Sequence, residues 1–292
     1  MKGIQNTDSQ NGVSPLAGFS GISLSELDSK AELLERMDQK YIVNKAVLYQ
    51  ALAHWMPHFA ILDINNKRTF RYNNCYFDDA EFSCYKQHQQ GKRTRFKVRT
   101  RKYMDSASCF VEMKLKGSRN RTLKRRLPYS LTAFDNLDES SKNFIKQSYY
   151  EVYAQHLDLE LQPSIQVSFN RTTLAGIKAH ERITVDSHIQ FSSAGEVFQV
   201  DPDLVIIETK SLSRNGLAEK ILRRLHQHPV PACSKYCIGM AVLGKVKTYN
   251  RFLRAMRKLR LIPAQKQQQK RFGLNKNSLA QNKYATEQSH VA

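Results

Sequence analysis

The sequence predicts an α+β domain in which an antiparallel eight-stranded β-barrel is flanked by helices. Two observations predict it. Apolar and polar residues alternate with a two-residue period through several segments joined by short connections, which is typical of antiparallel strands. Helical spacing is restricted to the stretches between and after those segments. The chain has 292 residues, which is enough to bury a full core.

A cationic strand stands out in the middle of the chain. In RFKVRTRKY the odd-numbered residues are Arg95, Lys97, Arg99 and Arg101, and smaller or apolar residues alternate with them. The next segment, CFVEMKLK, places Glu112 and Lys114 on one face. A third segment, RTLKRRLPY, places Lys124 on one face after a short turn. Three successive strands therefore present cations on one face.

The charge is concentrated in two blocks. The chain has 46 Lys and Arg against 26 Asp and Glu, a formal net charge of +20. Fifteen of the cations fall between Lys86 and Arg126 against two acids, and twelve fall after Val242 against one acid. Like charges crowded on one sheet face repel one another, so we expect an anionic ligand to lie there.

The remaining elements follow in chain order. Residues 1–20 are polar and are predicted to be disordered, and residues 21–245 form the predicted domain. It contains a strand with Lys40, a helix from Asn44 to about Met56, a helix within residues 135–156, and two later strands. The first of these strands carries Arg182, and the second, DLVIIETK, carries Glu208 and Lys210 on a common face.

The C-terminal part has a different period. Residues 246–262 have apolar groups at helical spacing with cations around them, which predicts a basic amphipathic helix. Residues 263–292 are rich in Gln, Asn and Lys and are predicted to be a disordered basic tail.

The compartment follows from what the sequence lacks. No apolar run approaches the length of a membrane span, and the first residues do not resemble a secretory signal. Five cysteines with no CxxC pair favour free thiols in a reducing compartment. We therefore expect a cytoplasmic protein without a transmembrane segment of its own.

Arginines, lysines and a carboxylate on inward faces suit phosphoryl transfer. Cations neutralise the oxygens of a triphosphate, and a carboxylate holds the divalent metal ion that bridges them. The sequence contains neither a Walker A loop nor a GxGxxG motif, so side chains would have to grip the phosphates. An eight-stranded barrel is wide enough to hold such a ligand.

These segments resemble a known family, the polyphosphate polymerase domain of the vacuolar transporter chaperone complex, within the triphosphate tunnel metalloenzymes. The resemblance covers roughly residues 30–245. Its motifs, in order, are RMDQKY (36–41), YFDD (76–79), RFKVRTRKY with FVEMKLKG (95–117), LKRR (123–126), SFNRTTL (168–174), ERITVD (181–186), IIETKS (206–211) and SKYCIGM (234–240).

The resemblance implies that ATP binds in the tunnel and that its terminal phosphoryl group passes to a growing polyphosphate chain. The cations that it assigns to the phosphates are Lys40, Arg99, Arg101, Lys114, Lys124, Arg171, Arg182 and Lys210. Glu208 would hold Mn²⁺ or Mg²⁺, and Ser234 with Lys235 would meet the polymer at a tunnel mouth. Alternation alone adds Arg95, Lys97 and Glu112, the last as a second metal candidate.

One position departs from simple alternation. Arg171 alternates in step with Ile165 and Phe169, so a break in register is expected there.

Other readings stay open. Hydrolytic relatives carry an ExExK strand, whereas this chain has Arg36, Asp38 and Lys40 at those positions, which weakens a hydrolase assignment. A triphosphatase or polyphosphatase, and a non-catalytic module that binds polyphosphate or nucleic acid, remain the alternatives. ATP and polyphosphate are the expected partners, with no specific nucleic acid. Attachment to the inner face of a membrane would need a membrane-protein partner.

Overall fold

The computed structural model describes residues 14–30, 37–117, 122–213 and 215–262. Its strands are β1 (Gly21–Ile22), β2 (Met37–Asn44), β3 (Phe59–Leu62), β4 (Phe70–Asp78), β5 (Arg95–Tyr103), β6 (Ser108–Lys116), β7 (Thr122–Tyr129), β8 (Gln162–Gly176), β9 (Arg182–Ser193), β10 (Glu196–Gln199) and β11 (Leu204–Ser211). Its helices are α1 (Leu24–Lys30), α2 (Lys45–Trp55), α3 (Ser83–Gln90), α4 (Glu139–Tyr153), α5 (Leu217–Arg224), α6 (Lys235–Val242) and α7 (Leu253–Lys258).

The strands form one sheet around an eight-strand path. Its order is β2-β11-β9-β8-β4-β5-β6-β7, and every neighbouring pair is antiparallel. The short strands β1, β3 and β10 pair outside this path. Among the described strands, β2 and β7 are the ends of the path and do not pair with each other. The α+β class and the antiparallel eight-strand arrangement are confirmed, with the hydrogen-bonded ladder open at one seam.

The sheet curls so that its ends approach. Five strands lie between β2 and β6 along the path, which in a flat sheet would separate them by about 29 Å. Burial nevertheless lowers the pKa of Lys114 on β6 with a further contribution from Lys40 on β2, so the two ammonium groups face a common space. We call the space that the curled sheet encloses the lumen.

Helices cover the outer face of the sheet and thereby direct the charged residues inward. Val98 and Met113 are fully buried with Ile145 of α4, in a core that also contains residues of α3. On the other side, Trp55 of α2 and Leu222 of α5 are buried in a separate core with residues of β2, β9 and β11. Since side chains alternate along a strand, the charged residues between these apolar positions face the lumen.

Helix α6 fills one half of the lumen. Ile165 pairs with Tyr76, which pairs with Arg99, so Ile165 lies on the inner face. A Cβ atom at Gly239 of α6 would approach Ile165 Cδ1 to 2.6 Å and a Phe191 ring carbon to 2.8 Å. The absence of a side chain at Gly239 lets the helix pack this closely against β8 and β9. One half of the lumen is therefore apolar and filled, and the other half is lined by cations.

The predicted helix after Val242 is shorter than expected. Residues 250–252 form a 3₁₀ turn, and only Leu253–Lys258 are α-helical. The apolar side of the segment is spent on packing, because Phe252, Ala255, Met256 and Leu259 are buried in the same core as α6. The segment after residue 245 thus packs on the same core as the preceding domain, and the boundary at residue 245 stays a prediction.

The predicted disordered N-terminus also ends too late. Phe19 is only 3% exposed and packs in the core with Trp55. Arg68 Nη1 donates a hydrogen bond of 2.6 Å to the Leu16 carbonyl. Residues 14–20 therefore belong to the folded part. Residues 1–13 and the predicted tail at 263–292 lie outside the described residues.

Several elements match the sequence and others were missed. Asn44 caps α2 by accepting from Val47 N at 2.9 Å, as its position before the helix predicts. Neither α3, a polar helix between two strands, nor the largely apolar α6 was predicted from the sequence. None of the described helices has the length and apolar character needed to span a membrane.

Candidate functional site

Three buried carboxylates organise the cations of the lumen. Glu208, Glu112 and Asp186 are 14%, 3% and 1% exposed, and each is bound by two or more basic side chains. An ionised carboxylate is tolerated at such depth only when opposite charges surround it. Each carboxylate therefore fixes the positions of the arginines and lysines around it.

Glu208 lies between two lysines. Lys210 Nζ donates to Glu208 Oε1, and Lys40 Nζ lies 3.7 Å from Glu208 Oε2. Adjacent strands explain the arrangement, because Glu208 of β11 pairs directly with Lys40 of β2, and Lys210 shares its face. Burial acts to raise the pKa of Glu208, but Lys210, Lys40 and Lys114 outweigh it and hold that pKa well below its usual range. Glu208 is therefore ionised.

Most of the lysines around Glu208 have a lower pKa than a free lysine. Burial, with a further contribution from Lys40, lowers the pKa of Lys114 to about 8. Burial also lowers the pKa values of Lys210 and Lys97. Only the pKa of Lys40 is raised, chiefly by Glu208. Lys114 is accessible to water in the lumen, but protein surrounds it on most sides. An anion that binds there would therefore stabilise the protonated form of Lys114.

Glu112 is held by cations from two neighbouring strands. Arg99 donates to Glu112 Oε2 from Nε at 2.9 Å and from Nη2 at 2.6 Å. Lys124 Nζ lies 2.5 Å from Oε1, and Arg101 Nε lies 3.7 Å from Oε2. Although burial opposes it, these cations hold the pKa of Glu112 well below its usual range. Burial lowers the pKa of Lys124 to about 8.

Asp186 connects the sheet to α6. Arg171 binds it with a two-pronged contact, Nε to Oδ1 at 2.6 Å and Nη2 to Oδ2 at 2.8 Å. Lys235, the first residue of α6, donates to Asp186 Oδ2. Burial would raise the pKa of Asp186, but Arg171 and Lys235 lower it well below its usual value. The carboxylate thereby holds the end of α6 against the sheet.

The expected register break lies on β9 rather than at Arg171. Ser168 pairs with Gln190 and Asn170 with Ser187, so β9 has one extra residue there, and His188 has a left-handed φ of 49°. Along β8, Arg171 keeps the same face as Ile165 and Phe169. Arg171 can share a face with apolar residues because that face passes from the filled half of the lumen to the cationic half.

The other predicted residues lie around this core. Arg182 pairs with Lys210 in the sheet and donates to the Leu27 carbonyl of α1 at 3.1 Å. Arg95 and Lys97 lie at the start of β5, on the face of Arg99. Ser234 caps α6 by accepting from Cys237 N, so its hydroxyl serves the helix. Arg36 lies outside the described residues.

Sequence reasoning missed two residues of the site. Asp186 is the first: strand alternation places it on the face of Arg182, where an acid needs cationic partners. Tyr76 is the second of these residues: its hydroxyl accepts from Arg99 Nη1 at 3.0 Å, and its ring stacks on Tyr236 of α6 with centroids 5.0 Å apart. A strand of alternating aromatics beside the cationic strand was the available signal for Tyr76.

The carboxylates fit a metal ion that arrives with its substrate. No group of three or more His, Cys, Asp or Glu side chains suited to a metal lies among the described residues. Mg²⁺ and Mn²⁺ need fewer protein ligands when phosphates supply the others. Glu208 can serve as the protein ligand, since its carboxylate is ionised in the cationic half of the lumen. Glu112 fits less well, because three cations already surround it.

Affinity for tripolyphosphate should fall about tenfold between pH 7 and 9, because Lys114 and Lys124 lose their protons as pH rises through about 8. In a Lys114→Arg/Lys124→Arg variant the charges persist and the decline should be absent. Calorimetry at each pH measures the affinity of both proteins. The change in protonation of tripolyphosphate affects both proteins equally, so it cancels in the comparison. Lys220→Arg on the exposed surface of α5 is the control, and an equal decline in all three proteins would contradict the assignment.

The fold and the site together define an α+β protein in which a curled antiparallel sheet surrounds a cation-lined lumen. The chain belongs to the VTC domain family, whose model matches residues 35–244.

Several solved structures are similar in fold. A candidate adenylate cyclase from Bacillus halodurans is 15% identical, with a TM-score of 0.40, and the match covers 68% of this chain and 92% of that one. A candidate adenylyl cyclase from Hippeastrum, described by a dominant triphosphatase activity, is 13% identical, with a TM-score of 0.40 over 74% and 100%. Protein PH1819 from Pyrococcus horikoshii is 13% identical, with a TM-score of 0.41 over 72% and 99%. No curated protein matches the chain significantly.

Proposed function

We propose that the protein is a metal-dependent polyphosphate polymerase that transfers the terminal phosphoryl group of ATP to inorganic polyphosphate. The observation that carries this is the charge balance of the lumen. Among the described residues, at least ten cations share four carboxylates there. The cations are Lys40, Lys97, Arg99, Arg101, Lys114, Lys124, Arg171, Arg182, Lys210 and Lys235; the acids are Asp38, Glu112, Asp186 and Glu208. This excess suits a polyanion.

The cations would perform binding and orientation. Arg99 and Arg101 are held by Glu112, and Arg171 by Asp186, so their guanidinium groups are in place before a substrate arrives. Preorganised cations stabilise the charge that develops on transferring phosphoryl oxygens without reorganising during the reaction. Glu208 would hold a Mn²⁺ or Mg²⁺ ion, which would supply positive charge to neutralise the triphosphate.

The acceptor in this reaction is the terminal oxygen of a polyphosphate chain. It forms the new P–O bond as the bond between the γ-phosphorus and the β,γ-bridging oxygen breaks, and ADP leaves with that electron pair. The attacking oxygen is already anionic, so no general base is needed. This suits the lumen, because Glu208 is paired with two lysines and its low pKa makes it a weak base.

Hydrolysis by the same fold is the second candidate. It replaces the polyphosphate oxygen with water, which must lose a proton. Hydrolysis remains a candidate because one of the proteins of similar fold is described by a triphosphatase activity. The neutralised environment of Glu208 and the apolar half of the lumen around α6 favour transfer over hydrolysis.

Incubating the purified protein with ATP and Mn²⁺ and resolving the products on a gel tests the proposal. We expect a ladder of acid-labile polymer and one ADP for each phosphate incorporated. Release of orthophosphate without polymer would show that the protein is a phosphatase and not a polymerase. The variant Arg99→Ala links the activity to the lumen. It removes a preorganised cation and should weaken nucleotide binding and polymer formation together. A cytoplasmic location and a membrane-protein partner stay predictions.

A further inference from the structure

A second group of cations lies where the lumen opens at the start of β5. Arg95 begins this strand and pairs with Lys116 at the end of β6, and Lys92 and Arg93 lie exposed in the turn before it. No Asp or Glu occurs in the sequence from residue 86 to residue 104. The mouth of the lumen is therefore rich in cations on its β5 side.

The C-terminal segment adds to this mouth. Arg251 places its guanidinium against the backbone of Gly91, where Nη1 lies 2.6 Å and Cζ 3.1 Å from the position of a Cβ atom. Gly91 ends α3 with a left-handed φ of 70°, so this close approach needs glycine for two reasons. The contact is anchored by the Tyr85 hydroxyl, which donates to the Thr248 carbonyl at 2.8 Å, and by the Phe252 ring.

The environment of His88 reports the positive potential behind this mouth. Burial, followed by Lys97 and Arg95, lowers the pKa of His88 to about 2. Burial, followed by Arg251, likewise lowers the pKa of Arg95. The cations of the lumen and of the C-terminal segment thus form one row. Lys114 of β6 pairs with Lys97 of β5, Arg95 lies two residues before Lys97 on the same face, and Arg251 acts on Arg95.

Beyond Arg251 the cations continue along the exposed side of α7. Arg254, Arg257 and Lys258 are exposed, whereas the apolar residues between them are buried in the core. Residues 245–262 contain seven Lys and Arg and no acid. Arg260 of this segment forms an ion pair with Asp201. We call Arg251, Arg254, Arg257 and Lys258 the C-terminal basic surface.

We propose that the C-terminal basic surface is a binding site for long-chain inorganic polyphosphate, which it receives where the polymer leaves the lumen beside Arg95. The proposal rests on the proposed polymerase function. The surface lies outside the residues that match the VTC domain model. Continuity with the lumen favours a flexible single-chain polyanion, because a nucleic-acid duplex is too wide to pass between the strands. Each phosphate of such a chain would displace counterions when it meets a cation.

The test compares long-chain polyphosphate with tripolyphosphate, which is short enough to occupy the lumen alone. Binding of each to the full chain is measured by calorimetry at several salt concentrations, for wild type and Arg251→Gln/Arg254→Gln/Lys258→Gln. The variant should bind long-chain polyphosphate about tenfold more weakly, with a shallower salt dependence. Its affinity for tripolyphosphate and its initial rate of ADP release should equal those of wild type.

The control variant removes the same number of charges elsewhere. Lys220→Gln/Arg223→Gln/Arg224→Gln alters the exposed side of α5, which packs against α2. Equal weakening by both triple variants would show that only net charge matters and would overturn the site. Unchanged long-chain binding in the first variant, or loss of tripolyphosphate binding in it, would also overturn the site. Single-stranded RNA of equal charge binding as tightly as polyphosphate would overturn the ligand assignment.

Failure of the proposed function gives a different result. Suppose that wild type makes no polymer and that the first triple variant alone binds long-chain polyphosphate more weakly. The surface is then a polyphosphate-binding site, and the proposed polymerase function is wrong. If wild type makes polymer and the first triple variant binds it normally, the polymerase function is supported and the proposed binding site on the C-terminal basic surface is wrong.

Discussion

Glu208→Gln is expected to reduce metal-dependent phosphoryl transfer by at least about 100-fold while leaving the fold intact. The substitution removes the ionised oxygen that would hold the metal ion and keeps the size of the side chain. It also leaves Lys40 and Lys210 without their carboxylate partner. Binding of metal-free tripolyphosphate should therefore be as tight as in wild type or tighter. Rates of ADP release at several Mn²⁺ concentrations and calorimetric titrations measure the two effects.

Glu112→Gln is the matched control for this prediction. It removes another buried carboxylate of the lumen, one that three cations already surround. We expect a weaker effect on the metal dependence, because this carboxylate orders Arg99 and Lys124 instead of holding the ion. If Glu208→Gln retains wild-type turnover, or if Glu112→Gln alone abolishes the response to Mn²⁺, Glu208 is not the metal ligand.

Asp186→Asn should lower the free energy of unfolding by about 3–5 kcal/mol, because it leaves Arg171 and Lys235 buried without a countercharge. The asparagine keeps the shape of the side chain, so the loss reports charge and hydrogen bonding rather than a cavity. Urea unfolding followed by circular dichroism gives the value. Since Lys235 begins α6, the variant should also expose the buried thiols of Cys233 and Cys237 to a thiol reagent faster than wild type does.

The control and the pH dependence sharpen this test. Asp201→Asn breaks an exposed pair with Arg260 and should cause no measurable change in stability. The pKa of Asp186 is depressed in the folded protein. The carboxylate therefore makes its full contribution to the free energy of unfolding above about pH 5, and this contribution decreases as the pH falls. The difference in stability between wild type and Asp186→Asn should therefore shrink in acid. A constant difference down to pH 3 would contradict the ion-pair explanation.

The cationic face of β5 to β7 could be read from the sequence because alternation in a strand determines which residues share a face. Arg99 and Lys114 face the lumen for this reason, while Val98 and Met113 pack under α4. The same rule set Glu208 beside Lys210. It failed for α6, since an apolar helix buried on all sides has no polar face to indicate its surroundings. The pairing of Asp186 with Arg171 and Lys235 joins residues that are distant in the chain.

From its residues alone the chain determines the strand class, the inward direction of its cations and their excess over acids, because these depend on local alternation and composition. Only the tertiary structure decides that the sheet curls until Lys40 and Lys114 face one lumen, that α6 fills part of this lumen, and that the C-terminal segment packs on the core with its cations beside the mouth. Those features depend on contacts between segments far apart in the chain. Such contacts are set by packing and burial, which no local pattern records.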